Sequence, residues 1–254
     1  MINAVILAGG NGTRINSKEI NKVALPFLGK PIVLYGVELF EKIASRTMVV
    51  IGAFSESVKT ALKDKKVTFI NQEERLGTGH AVKMALPALE DASDNELVIV
   101  GYGDHLMFYK EQTVRELIDK HQSEQAFVSF ITTKYHDPNY LAWGRIERDE
   151  QGNVKDIVEQ KDATEEQRRI KEVNAGFYCF SLGFLRNHVD LIEKSPVTGE
   201  YYITDLVKFA VKEKLKVLAV IVRFREVGIG INRQDELEES QKIYTEFNED
   251  QQDG

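Results

Sequence analysis

The chain has 254 residues, 43% hydrophobic and 29% charged, a soluble globular composition that excludes disorder as the main state and allows one large domain or two small ones. With 40 Asp and Glu against 33 Lys and Arg, the formal net charge is −7, which argues against a nucleic-acid binder that works through a broad basic surface. No apolar run approaches the ~20 residues of a membrane span, and the single cysteine, Cys179, cannot form an intrachain disulfide, so a reducing, cytoplasmic setting is expected.

The opening residues 1–10 carry no basic leader and end a short apolar run in two glycines, so they read as a strand entering a loop and not as a signal peptide. Leu7-Ala8-Gly9-Gly10-Asn11-Gly12-Thr13-Arg14 follows. Glycines after a strand let main-chain N–H groups turn onto an anion, and an arginine adds a fork of donors for phosphate oxygens. A tight strand-to-loop turn is the plain alternative for the glycines alone. The spacing is neither a Walker loop, whose Gly-Lys-Ser/Thr is missing, nor a dinucleotide fingerprint. Arg14, Lys18, Lys22 and Lys30 against Glu19 make the first 30 residues locally basic, which favours a polyanion site over a solvated loop.

Val- and Ile-rich runs then alternate with helical periodicity, the mark of a mostly parallel α/β sheet flanked by helices, Rossmann-like in organisation. The expected strands are 3–8, 47–51, 67–70, 96–100 and 126–132. The expected helices are 31–43, 55–62, 78–89 and 110–122, with Pro31 at a first helical position and Ser55 as an N-cap. At 144–159 the rhythm changes: two short strands, 144–148 and 154–159, flank the polar turn Asp149 to Asn153, a hairpin that would open a smaller antiparallel lobe. A strand at 173–181, a helix at about 202–212, a strand at 216–222 and a closing helix at 233–247 complete the chain, with Leu237, Ile243, Tyr244 and Phe247 on one face. Residues 234–254 hold eight acids and one base, Lys242, so the entire net charge belongs to this last stretch. The expected division is one domain over 1–248, comprising a first half (1–133), a second half (134–232) and the closing helix (233–248), followed by an acidic tail (249–254).

The stretch LAGGNGTR with a following lysine and Gly29-Lys30-Pro31 resembles the sugar-phosphate nucleotidyltransferases. Gln72 to Val82 (QEERLGTGHAV) looks like the uridylyltransferase (UDP-N-acetylglucosamine pyrophosphorylase) domain of the bifunctional N-acetylglucosamine-1-phosphate enzymes. The resemblance runs on in order through Tyr102-Gly103-Asp104, Trp143 to Ile146, Ile157 to Thr164, Glu172 to Gly176, Gly199 to Asp205 and Gly230-Ile231-Asn232. One such motif is weak evidence; eight in sequence are strong.

The resemblance implies a magnesium-dependent transfer in which a sugar 1-phosphate oxygen attacks the α-phosphate of a nucleoside triphosphate and pyrophosphate leaves. No protein nucleophile is needed, so catalysis is positioning and charge neutralisation. It gives Arg14, Lys22 and Asp104 catalytic roles and pairs Asp104 with Asn232 as metal ligands. It assigns Leu7, Ala8, Gly9, Gly10, Gly12, Thr13, Gln72, Gly77, Thr78 and Tyr102 to the nucleotide. Gly144, Glu159, Asn174, Tyr202 and Thr204 fall to the sugar, and Trp143 is a sugar-pocket wall or core. His80 would pack at a helix start, and His105 flanks Asp104.

Small-molecule substrates, with no nucleic acid or membrane partner, are therefore expected. UMP transfer to N-acetylglucosamine 1-phosphate is the leading reading. Another base or acceptor (dTTP or CTP, glucose 1-phosphate) is the alternative, and a non-catalytic nucleotide-sugar-binding module is the rival from a different class. Two departures bear on geometry: Asn21 replaces the proline usual before the lysine, which would loosen the presentation of Lys22, and no proline follows Asp104. The β-helix that continues the bifunctional enzymes has no counterpart in the sequence, so acetyl transfer is not expected.

Overall fold

The computed structural model describes residues 1–10, 19–137 and 139–252. In chain order the elements are β1 (Ile2–Ala8), β2 (Pro26–Phe27), β3 (Lys30–Pro31), α1 (Ile32–Glu41), β4 (Arg46–Ile51), α2 (Ser55–Ala61), β5 (Thr68–Asn71), α3 (Thr78–Ala85), β6 (Leu97–Tyr102), α4 (Glu111–Ser123), β7 (Val128–Lys134), β8 (Arg145–Arg148), β9 (Val154–Val158), α5 (Glu165–Arg168), β10 (Glu172–Ser181), α6 (Leu182–His188), α7 (Asp205–Lys212), β11 (Val217–Val222) and α8 (Gln234–Gln252). The main sheet runs β11-β7-β10-β6-β1-β4-β5. Strands β6, β1, β4 and β5 pair in parallel, β7 and β11 pair in parallel, and β10 lies antiparallel to both β6 and β7.

Apolar character is continuous from Ala4 to Ala8 in β1 because both faces of the sheet are covered. Ala4, Ile6 and Ala8 face a core shared with α1, α4 and α8, while Val5 faces a core shared with α3, α6 and α7. The alternation is the two-residue period of a strand. Among the described residues no helix is long and apolar enough to cross a membrane. Cys179 is a buried free thiol within β10, and burial pushes its pKa up.

The antiparallel strand brings the two halves together. Phe177 of β10 pairs with Gly101 of β6, so residues 172–176 overrun the carboxyl end of β6. There β8 takes the vacated side, with Arg145 opposite Val173. The β8–β9 hairpin is thus an extension of the main sheet, not a separate layer. A register shift between Asn174 and Tyr178 marks a bulge against β7, and Gly176 turns it with φ +70.

Two local expectations are corrected. Pro31 is the cap before α1 and not its first residue, because it pairs with Pro26 in the β2–β3 ribbon. Ser55 is the first residue of α2 and not its cap: Phe54 makes the turn with φ +53, and the hydroxyl of Ser57 donates to the Phe54 carbonyl at 2.6 Å. Helix α6, too short and too glycine-broken for a period to register, was not expected. Along α8 the expected face is real: Leu237 and Phe247 are buried, and Ile243 and Tyr244 pack against the core.

Candidate active site

The carboxyl ends of β1, β6, β4 and β5 open onto one edge, where open α/β sheets place their ligands. A cleft of about 360 Å³ lies there, lined by Leu7, Gly9, Gly10, Lys22, Gln72, Arg75, Gly77, Thr78, Ala81, Tyr102, Asp104, Glu200 and Asn232. A smaller one, about 140 Å³, is lined by Tyr102, Asp104, His105, Ala142, Trp143, Gly144, Glu159, Asn174, Gly176, Gly230 and Asn232. Tyr102, Asp104 and Asn232 are common to both, so the two clefts meet at Asp104.

At that junction the ammonium of Lys22 donates to the Asp104 carboxylate and, at 2.8 Å, to Oδ1 of Asn232. One cationic centre within reach of both oxygens shows that carboxylate and amide aim at a common point. Two hard oxygen donors fit a magnesium ion that takes its remaining ligands from water and phosphate. No cluster of three or more His, Cys, Asp or Glu suited to a metal exists among the described residues.

Lys22 opens a short 3-10 turn, and its predecessor fastens it. Asn21 is fully buried. Its amide Nδ2 donates to the carbonyls of Ala8, Gly10 and Ala53 at 3.1, 3.2 and 2.7 Å, and its Oδ1 accepts from the Val23 N–H at 3.1 Å. Its own N–H donates to the Ser57 hydroxyl at 2.9 Å. The expectation that loss of the proline loosens this loop is therefore corrected: side-chain hydrogen bonds replace the ring. The missing proline after Asp104 is likewise offset, because Leu106 is buried in a notch where a Cβ on Gly36 or Gly101 would come within 2.5 or 2.6 Å of it.

The opposite wall is stitched from two motifs distant in sequence. Tyr201 N–H donates to Leu76 O at 2.7 Å, Gly79 N–H to Tyr201 O at 2.8 Å, and Ile203 N–H to the Thr78 hydroxyl at 3.0 Å. Gly77 has φ +102, and a Cβ there would meet Tyr201 O at 2.5 Å, so only glycine fits. Behind the smaller cleft the Thr204 hydroxyl donates to Glu159 Oε1 at 3.0 Å. Withdrawal from water, opposed by that hydrogen bond and reinforced by Asp162, Asp205 and Glu200, pushes the Glu159 pKa up to about 7.

Of the expected residues, Lys22, Asp104, Asn232, Leu7, Gly9, Gly10, Gln72, Gly77, Thr78 and Tyr102 line the larger cleft, and Gly144, Glu159 and Asn174 the smaller. Arg14, Gly12 and Thr13 lie outside the described residues. Ala8 is buried behind the cleft, its carbonyl held by Asn21. Thr204 is buried, reaching the cleft only through Glu159, and the Tyr202 hydroxyl is 2.6 Å from that of Thr198, away from both linings. Sequence reasoning missed Arg75 and Glu200 as lining residues, although both sit inside quoted motifs. Trp143 forms part of the wall, 4.6 Å from the His105 ring, and His105 Nε2 lies 3.3 Å from Gly228 O.

A family model described as nucleotidyl transferase matches residues 3–228. The bifunctional protein GlmU of Caldicellulosiruptor saccharolyticus is 40% identical over 235 residues, 92% of this chain and 50% of that protein. GlmU of Desulfotalea psychrophila is 37% identical over 235 residues, 92% of this chain and 67% of its own, and GlmU of Clostridium botulinum is 36% identical over 241 residues, 94% and 51% respectively. The chain thus spans about half to two thirds of the curated relatives it matches. A solved structure of UDP-glucose pyrophosphorylase complexed with UDP-glucose superposes with a TM-score of 0.76 at 21% identity, over 97% of this chain and 99% of that one. That likeness concerns the fold.

Proposed function

The chain belongs to the nucleotidyl transferase family, and on that premise we propose that it is a sugar-1-phosphate nucleotidyltransferase moving UMP from UTP to N-acetylglucosamine 1-phosphate. The observation that carries this reading is the convergence of Lys22, Asp104 and Asn232 where the two clefts meet. A phosphoryl-transfer centre joining two substrates needs its charge-neutralising groups at such a junction.

In this reading the nucleotide lies in the larger cleft, with Gln72 and Gly77 toward the base and the Gly9-Gly10 turn toward the phosphates. The sugar phosphate lies in the smaller cleft against Gly144, Glu159 and Asn174, with Thr204 steadying Glu159 and Tyr202 behind them. A sugar-phosphate oxygen forms the new bond to the α-phosphorus as the bond to the β-phosphate oxygen breaks, and the electron pair leaves with pyrophosphate. Lys22 supplies the ammonium that neutralises the α-phosphoryl oxygens as charge builds there, and Arg14 would do the same for the leaving group. Asp104 and Asn232 would hold magnesium, whose chemistry is to neutralise charge on the reacting phosphates. The protein's further part is to fix the two phosphates in line, which converts an encounter between anions into a positioned reaction.

The test is pyrophosphate release over a panel of triphosphates and sugar 1-phosphates with magnesium. UTP with N-acetylglucosamine 1-phosphate is expected to be the best pair; a better pair with glucose 1-phosphate would reassign the acceptor. Silence on every pair, with nucleotide sugar still bound, would overturn the enzymatic reading in favour of a binding module.

A further inference from the structure

Gln72 is buried at the rim of β5, and its amide is held in one of two chemically distinct orientations. Nε2 lies 3.0 Å from the Gly77 carbonyl. A carbonyl oxygen only accepts, so the amide NH2 must face it. The same nitrogen is 3.1 Å from Nδ1 of His80, and with both amide protons directed that way the imidazole Nδ1 is the acceptor. His80 sits in the first turn of α3, its ring stacked on Tyr201 with centroids 6.3 Å apart. The turn that lines the cleft therefore also fixes the imidazole.

What remains of the amide is Oε1. It accepts no hydrogen bond among the described residues and approaches Gly9 so closely that a Cβ there would lie 2.7 Å away. Gly9 and Gln72 both line the larger cleft. The group offered to a base is thus an acceptor, not a donor.

We propose that His80 is a positioning residue that sets the polarity of the Gln72 amide and so makes the site select pyrimidine bases carrying an N3–H, as uracil and thymine do, against cytosine. This rests on the functional reading above, in which Gln72 meets the base. An N3–H donates to Oε1. Cytosine places an unprotonated N3 at the same position, lone pair against lone pair, and leaves a desolvated acceptor without a partner. Without an acceptor at residue 80 the NH2 keeps only Gly77, and the alternative orientation is no longer opposed from both sides.

The experiment is calorimetric binding of UTP, dTTP and CTP to the full chain with magnesium and no sugar phosphate, together with steady-state kinetics. Wild type is expected to bind UTP and dTTP about tenfold or more tightly than CTP. His80→Leu should bring UTP and CTP to within about threefold of each other, raising KM for UTP with little change in kcat. His80→Asn, whose Oδ1 can stand where the imidazole Nδ1 stood, should restore the preference; a His that merely fills space would be mimicked better by Leu. Equal binding of UTP and CTP by wild type overturns the inference alone, whatever the stability of the variants. Unchanged selectivity in a folded His80→Leu also overturns it. Binding of none of the three overturns the functional reading and this inference with it.

Discussion

The side chain of Lys22 donates to Oδ1 of Asn232 across 2.8 Å, although the two residues are 210 positions apart. The same ammonium reaches Asp104, so three segments of the chain meet at one charged point. Removing the carboxylate should be the most damaging single change at that point. Asp104→Ala is expected to lower turnover at least about 1000-fold, as loss of a charge-stabilising group at a phosphoryl centre does, with far-UV circular dichroism unchanged. Activity within tenfold of wild type would mean that the cation is held elsewhere.

Lys22 donates to both Asp104 and Asn232, so a divalent cation held by that pair, as proposed, would have to displace its ammonium. In Lys22→Met, kcat is expected to fall about 100-fold or more, while Mn2+ binding to the nucleotide-free chain, read by electron paramagnetic resonance, becomes tighter. Weaker Mn2+ binding in the variant would show that the lysine assists the cation.

Asn21 replaces a ring constraint with hydrogen bonds to three carbonyls and one N–H. Asn21→Ala should therefore cost roughly 1–3 kcal/mol in urea unfolding and lower kcat as well, since Lys22 is the next residue. Unaltered stability would show that those carbonyls find water without penalty.

Gly228 has φ +67, and a Cβ there would come within 2.2 Å of the Phe108 ring. Gly228 opens the run that leads to Asn232 at the cleft. Gly228→Ala should lose about 3 kcal/mol or more of stability, combining a left-handed backbone with overpacking, and the loss should exceed that of Gly152→Ala, where φ is +85 but no atom lies within 4 Å. Equal losses at the two sites would assign the whole effect to backbone conformation.

Glu159 ionises near pH 7, raised by burial. Between about 4.5, its ordinary value, and 7 the folded chain keeps a proton that the unfolded chain has lost, so this group's contribution to stability declines as pH rises through that window. In the proposed reading the ionised carboxylate is the stronger acceptor for sugar hydroxyls. KM for the sugar phosphate is accordingly expected to improve as pH rises through 7 in wild type, with Glu159→Gln showing only the substrate's own ionisation. Superimposable profiles would remove Glu159 from the sugar site.

The alternation of apolar runs and helical periods, the glycines after the first strand and the ordered motifs were all readable in the sequence, because each is a local pattern set by backbone geometry and neighbouring residue types. They determined the α/β class and most element spans within a few residues, and the family resemblance that the motifs carry gave Lys22, Asp104, Asn232 and Gln72 as candidates. Tertiary structure decided what those groups face. The antiparallel insertion of β10 carries Asn174 and the β8–β9 hairpin past the end of β6, and nothing in a strand's own period says which neighbour it will join. Asn21 read as a loosened loop because its carbonyl partners are contributed by Ala8, Gly10 and Ala53. The polarity of the Gln72 amide depends on Gly77 and His80: a residue's type gives its donors and acceptors, and only its partners in space decide which of them is left for a ligand.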